Sequence, residues 1–121
     1  MNQQINEIEI NGVKYVPKDS IKSECLTDKV LIRSETAGVF FGKIESKDLA
    51  SGIVKMSNAR RIWYWTGAAS LSQLAIDGTT KPSECKFPEA LALIEVCRVI
   101  EVIPCTESAV KSLNSVKIWK Q

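Results

Sequence analysis

Apolar residues in this chain come in short runs, each cut off by a turn sequence. That punctuation suits strands better than long helices. The clearest case is Ile8 to Val16, where two alternating runs flank Asn11-Gly12. Asn-Gly favours a two-residue hairpin turn because both central positions need positive φ. Pro17 ends the second run, and Lys18 to Asp28 is a polar connector. Residues 1–20 therefore read as an accessory hairpin, and 29–119 as the core of a single 121-residue domain.

The core repeats the pattern. Lys29 to Arg33 reads as a buried strand, Ser34 to Gly38 as a turn, and Val39 to Glu45 as the antiparallel partner. Gly38 and Gly42 mark either a bulge or a close approach to the backbone. Ser46 to Ser51 is a second turn, and Ile53 to Met56 a third strand. Arg60 to Trp65 reads as a further strand, with Arg61, Trp63 and Trp65 on one face and Ile62 and Tyr64 on the other.

Ala68 to Asp77 carries Leu71, Leu74 and Ala75 at helical spacing, with Gly78 as its stop. Thr79 to Glu89 is a loop holding a short extended piece at Cys85-Lys86-Phe87. Leu91 to Ile103 is a long apolar segment ending at Pro104. Its β-branched residues favour strand from Val96 to Ile103. Helix is the alternative, since Ile94, Cys97 and Glu101 also fit a period of about 3.6 residues. Thr106 caps a short helix, Glu107 to Leu113, and Val116 to Trp119 is expected to pack back on the sheet. Together these elements predict an α+β fold: an antiparallel β-sheet with two short helices packed on one side, plus the N-terminal β-hairpin.

Charge and composition narrow the function. Sixteen basic residues against fourteen acidic ones leave a net charge of +2, with no long block of one sign. Wrapping a duplex needs clustered cations to displace counterions, so that role is not supported. The apolar runs are too short and too interrupted to span a membrane. The polar, acidic stretch Met1 to Asn11 does not read as a signal peptide, so the cytoplasm is the expected location.

The four cysteines, at 25, 85, 97 and 105, include no Cys-x-x-Cys pair, and the chain has no histidine. Free thiols are the expected state, with no metal and no cofactor. Without histidine, Ser-His-Asp and Cys-His nucleophile systems are ruled out. Glu95 and Glu101 have no evident partner for acid–base work. Binding is expected rather than catalysis.

The densest candidate site is Ser57 to Gly67, which joins Arg60 and Arg61 to Trp63, Tyr64 and Trp65. Guanidinium forks match phosphate geometry, and indole rings stack on bases. The competing reading is a core strand whose rings fill the interface between sheet and helix. A second cluster, Arg33-Ser34-Glu35-Thr36-Ala37-Gly38, places small and hydroxyl residues beside an arginine, where backbone N–H groups can meet an anion. An ordinary hairpin turn is the alternative there. Thr106 opens the last helix, whose N-terminus favours anions, with plain capping as the alternative.

These same residues carry a resemblance. Arg33 to Gly42, then Asn58-Ala59-Arg60-Arg61-Ile62-Trp63-Tyr64-Trp65-Thr66-Gly67-Ala68-Ala69-Ser70-Leu71, and the closing Ile103-Pro104-Cys105-Thr106 resemble a family of small phage and prophage proteins. That family includes the first type of Thoeris anti-defence protein. The resemblance covers Val30 to Leu113, and Asn-Ala-Arg-Arg-x-Trp is its specific part.

The resemblance implies a sponge that holds cyclic nucleotide immune signals, notably cyclised ADP-ribose isomers, without cleaving them. Larger assemblies of such proteins also hold cyclic oligonucleotides. It implies a homo-oligomer, either a dimer or a hexamer built from dimers, with ligands near subunit contacts. On this reading Arg33, Arg60 and Arg61 meet phosphates, and Trp63 or Trp65 stacks on adenine. Ser34, Thr36 and Asn58 reach ribose hydroxyls, with Ala37, Gly38 and Thr106 completing the ligand-binding set. The expected partner is a small cyclic nucleotide, with no membrane and no nucleic acid. A single-stranded nucleic-acid module and a protein-binding inhibitor or structural phage protein are the alternatives.

Overall fold

The computed structural model describes residues 25–121, so the hairpin expected at Ile8 to Val16 lies outside the described residues. Five strands and two helices follow in order: β1 (Leu26–Ser34), β2 (Gly38–Asp48), β3 (Ile53–Ile62), α1 (Leu71–Asp77), β4 (Leu91–Val96), β5 (Val99–Thr106) and α2 (Glu107–Asn114). The strands form one antiparallel sheet in the order β4-β3-β2-β1-β5. The fold is α+β, with both helices on one face of the sheet.

Both faces of the sheet are covered, which explains the continuous apolar run Val30-Leu31-Ile32. Leu31, Phe41 and Ile62 point toward Leu71, Leu74 and Ala75 of α1 and Ala109 and Leu113 of α2. On the opposite face Val30, Ile32 and Phe40 meet Val54, Met56, Ala59 and Val96. That second core forms because the sheet rolls on itself. β4 and β5 lie at opposite edges, yet only Cys97 and Arg98 join them. A two-residue link spans only about 10 Å, so the two edges must converge. Val99 N–H donates to Gly52 O at 2.9 Å, tying the tip of the β2–β3 hairpin to the start of β5.

The roll depends on bends in the long β2–β3 hairpin. Phe41 pairs with Arg60 and Lys43 with Ser57, so Asn58 and Ala59 together face Gly42. Asn58 takes the extra position of this bulge at φ 47°. The two strands expected at Ile53–Met56 and Arg60–Trp65 are therefore one strand, bent at Asn58 and ending at Ile62.

The segment Leu91 to Ile103 is also corrected. It is two strands on opposite edges, broken at Arg98, which adopts φ 56°. Pro104 does not end β5, because β5 is an edge strand and tolerates a missing donor. α1 starts at Leu71 rather than Ala68, where the Ser70 side chain accepts from Gln73 N–H. The extended piece at Cys85–Phe87 is present, with Lys86 bridging Tyr64 and Phe87 bridging Ile118. Val116 is buried in the helix-side core, which anchors the C-terminal tail.

Candidate functional site

Beyond Ile62 the strand ends and its alternation lapses, so Trp63 and Trp65 part company. Trp65 is half-buried against the helix-side core. Trp63 is 60% exposed and stacks on Trp119, with ring centroids 5.1 Å apart and planes 29° from parallel. The Lys86 ammonium lies 5.6 Å from the Trp63 ring centre, 5.7 Å from that of Trp119 and 6.0 Å from that of Tyr64. Cation–aromatic attraction operates at these distances. Backbone bonds join the three segments: Trp63 N–H donates to Lys86 O at 3.1 Å, Lys86 N–H to Tyr64 O at 2.8 Å, and Trp119 N–H to Phe87 O at 2.9 Å. The result is an exposed aromatic platform with one positive charge over it.

Arg60 is not free to meet a phosphate. Its Nε donates to Pro88 O at 3.1 Å, one terminal nitrogen to Val116 O at 2.8 Å, and the other to Phe87 O at 2.9 Å and Lys117 O at 3.3 Å. The guanidinium also sits 5.2 Å from the Phe87 ring centre, and burial lowers its pKa. Arg61 uses one donor on Ala37 O at 2.7 Å and lies 4.5 Å from the Phe40 ring centre. Its remaining donors are not drawn into such a cage. Arg33 holds Glu101 at 3.1 Å in an exposed pair, an interaction weak enough to yield to a better anion.

The backbone donors expected at Ser34 to Gly38 are turned inward. The buried Ser34 hydroxyl donates to Cys97 O at 2.7 Å and accepts from Thr36 N–H and Ala37 N–H. Glu35 N–H donates to Arg98 O. With these N–H groups engaged, the turn offers no nest for an anion. Gly38 is there for its φ of 98°, which the turn requires. Thr106 is likewise internal: buried, it donates to Ile76 O at 2.5 Å and accepts from Ala109 N–H at 3.1 Å. Asn58 is the bulge residue, with its side chain exposed.

Of the expected residues, then, Trp63 lies on the platform, while Arg60 sits beneath the segments that build it. Arg33, Thr36, Ala37, Gly38 and Arg61 gather at the β1–β2 turn. Local pattern does not mark Lys86 or Trp119, because the contacts that recruit them join segments far apart in the chain. Three surface depressions of about 450, 520 and 620 Å³ are all open to solvent, and the largest lies beside Arg60 and Ile118. Cys105 is buried, and burial pushes its thiol up to about 12, which disarms it as a nucleophile. Among the described residues no cluster of His, Cys, Asp or Glu is arranged to hold a metal, and no helix is long and apolar enough to cross a membrane.

A family model described as "Domain of unknown function (DUF6948)" matches residues 27–113, from the start of β1 to the end of α2. The chain belongs to the DUF6948 family. The DUF6948 match spans all five strands and both helices to within one residue at each end, but stops before Trp119. The platform is thus built partly from the DUF6948 domain and partly from the tail beyond it. No curated protein and no solved structure gives a significant match.

Proposed function

We propose that this protein is a phage-encoded anti-defence sponge, which binds a cyclic nucleotide immune signal and sequesters it without degrading it. The observation that carries the reading is the stack of exposed Trp63 on half-buried Trp119, with Lys86 over both rings. A cyclised ADP-ribose presents an adenine to stack and a pyrophosphate to attract a cation. Stacking of a base on an aromatic ring contributes roughly 1–3 kcal/mol. Arg33 and Arg61 supply further cations at the β1–β2 turn. The sequence resemblance points to the same ligand class, and such a role needs no general base.

Tight sequestration requires an enclosed pocket, whereas the depressions of one chain are open. On this proposal a second copy supplies the enclosure, in a dimer or in a hexamer built from dimers, within the host cytoplasm. Thermal melting against ADP-ribose, its cyclised isomers, cyclic di- and trinucleotides, NAD and short single strands tests the reading. A ligand at 100 times its dissociation constant adds about 2.7 kcal/mol, a shift of several degrees. The expected outcome is a large shift with a cyclic nucleotide and recovery of that nucleotide intact after denaturation. A hydrolysed product would replace the sponge by an enzyme.

A protein-binding role is the second reading, favoured by β4, an edge strand among the described residues, where Leu91 and Leu93 are 46% and 57% exposed. Such an edge accepts an added strand. A stoichiometric complex with one host protein, abolished by Leu93→Lys, would favour it over the sponge. Near-neutral net charge weighs against single-stranded nucleic acid, and no gel shift at low salt is expected.

A further inference from the structure

We propose that Arg60 is a positioning residue for the aromatic platform: its guanidinium clasps the segment carrying Lys86 to the tail carrying Trp119, and so holds the Trp63–Trp119 stack in register.

The geometry is that of a clasp. Two of its acceptors, Phe87 O and Pro88 O, follow Lys86 directly. The other two, Val116 O and Lys117 O, lead directly into Ile118 and Trp119. One planar fork therefore closes both segments at once. Arginine suits the task because it offers five donors in fixed directions, whereas lysine offers three on a single rotating head.

The support beneath is rigid. Phe87 is fully buried under the guanidinium, and Val116 is buried in the helix-side core. Trp63 lies on the chain just beyond Arg60 and bonds to Lys86 O. All three parts of the platform are thus referred to one side chain. The tail itself adds the bridge between Phe87 and Ile118 and the bond from Trp119 N–H to Phe87 O. These two contacts join the same two segments that Arg60 clasps, so loss of the fork loosens both.

Two stacked indoles give an exciton couplet in circular dichroism, which reports the stack with no ligand present. Trp119→Phe in the 121-residue protein identifies the Trp63–Trp119 couplet. Arg60→Ala is expected to remove most of that couplet while cooperative melting persists, and Arg60→Lys to restore only part of it. A full couplet in Arg60→Ala would overturn the proposal. If Arg60→Ala does not fold, Arg60→Lys decides: an undiminished couplet overturns the clasp, and a reduced couplet in a cooperatively melting protein supports it.

The consequence for binding rests on the proposed function, and a separate readout keeps the two apart. ADP-ribose titrated into each variant is expected to bind more weakly as the couplet falls. Loss of the couplet with unchanged ADP-ribose affinity would support the clasp and remove the platform as the binding site. A wild-type protein that ignores ADP-ribose leaves the clasp to be decided by the couplet alone.

Discussion

A Cβ placed on Gly42 would lie 2.8 Å from the Cα of Ala59, closer than side-chain carbons approach backbone. The contact crosses the Asn58 bulge, where β2 and β3 bend to roll the sheet. Gly42→Ala therefore forces the bend apart. Overpacking of this kind costs about 1–3 kcal/mol. A fall of several degrees in Tm is expected, accompanied by an altered amide spectrum around Ala59. Gly38→Ala meets open space and carries only the strain of its positive φ, so it leaves the region of Ala59 undisturbed.

Thr106 ties α2 to α1 through one hydroxyl. It accepts from Ala109 N–H to cap α2 and donates to Ile76 O at the far end of α1. Thr106→Ala loses the cap, worth about 0.5–2 kcal/mol, and leaves a carbonyl without its partner. Urea unfolding should show a lowered midpoint at unchanged slope, with Thr106→Ser close to wild type. Nucleotide affinity should not change, since the hydroxyl faces inward.

How far the fold was legible in the sequence follows from which signals are local. Val30–Ile32 and Val39–Phe41 announce strands because burial on both faces demands unbroken apolar runs. Ser70, Gly78 and Thr106 announce helix ends because capping is a matter of neighbouring residues. Leu91 to Ile103 misled because its corner carries no Gly or Pro. Arg98 takes the left-handed conformation, and the edge-to-edge link becomes visible only once the sheet rolls. Ser57-Asn58 likewise divides two apparent strands, where the molecule has one strand and a bulge.

The candidate site was legible in composition but not in role. Arg60 and Trp63 stood out as residue types, yet the acceptors of Arg60 lie on Phe87, Pro88, Val116 and Lys117. No local pattern couples those segments. Trp119 was legible as an apolar tail residue, not as the stacking partner of Trp63.

Cys105 makes stability fall in alkali. Its thiol is raised from 9.0 to about 12, chiefly by burial, with a bond from the Leu31 backbone opposing the shift. The unfolded chain loses this proton near pH 9, while the folded protein keeps it until about pH 12. The protonated thiol's contribution is thus complete below pH 9 and declines between 9 and 12. A single such group lowers stability by on the order of 1 kcal/mol per pH unit across that window. Urea melts of wild type and Cys105→Ala should converge as pH rises through it, because every other ionisable group is common to both. A thiol reagent should label exposed Cys25 and Cys97 first, and buried Cys85 and Cys105 only on unfolding.

Trp63 can be separated from the fold it sits on. Being 60% exposed, its ring contributes little burial to the core, so Trp63→Ala should shift Tm only slightly. If a base stacks there, the same change removes about 1–3 kcal/mol of binding, a loss of roughly 5–150-fold in affinity. Lys86→Met keeps the length of the stem and removes the charge, so it should weaken a phosphate-bearing ligand and flatten the salt dependence. A plain nucleoside, which stacks but carries no phosphate, should feel Trp63→Ala and ignore Lys86→Met. Titration calorimetry of both variants with ADP-ribose and with adenosine resolves the two contributions. Equal losses for both ligands in Lys86→Met would mean that Lys86 supports the rings rather than the phosphate, and Arg33 and Arg61 would then be left to supply the charge.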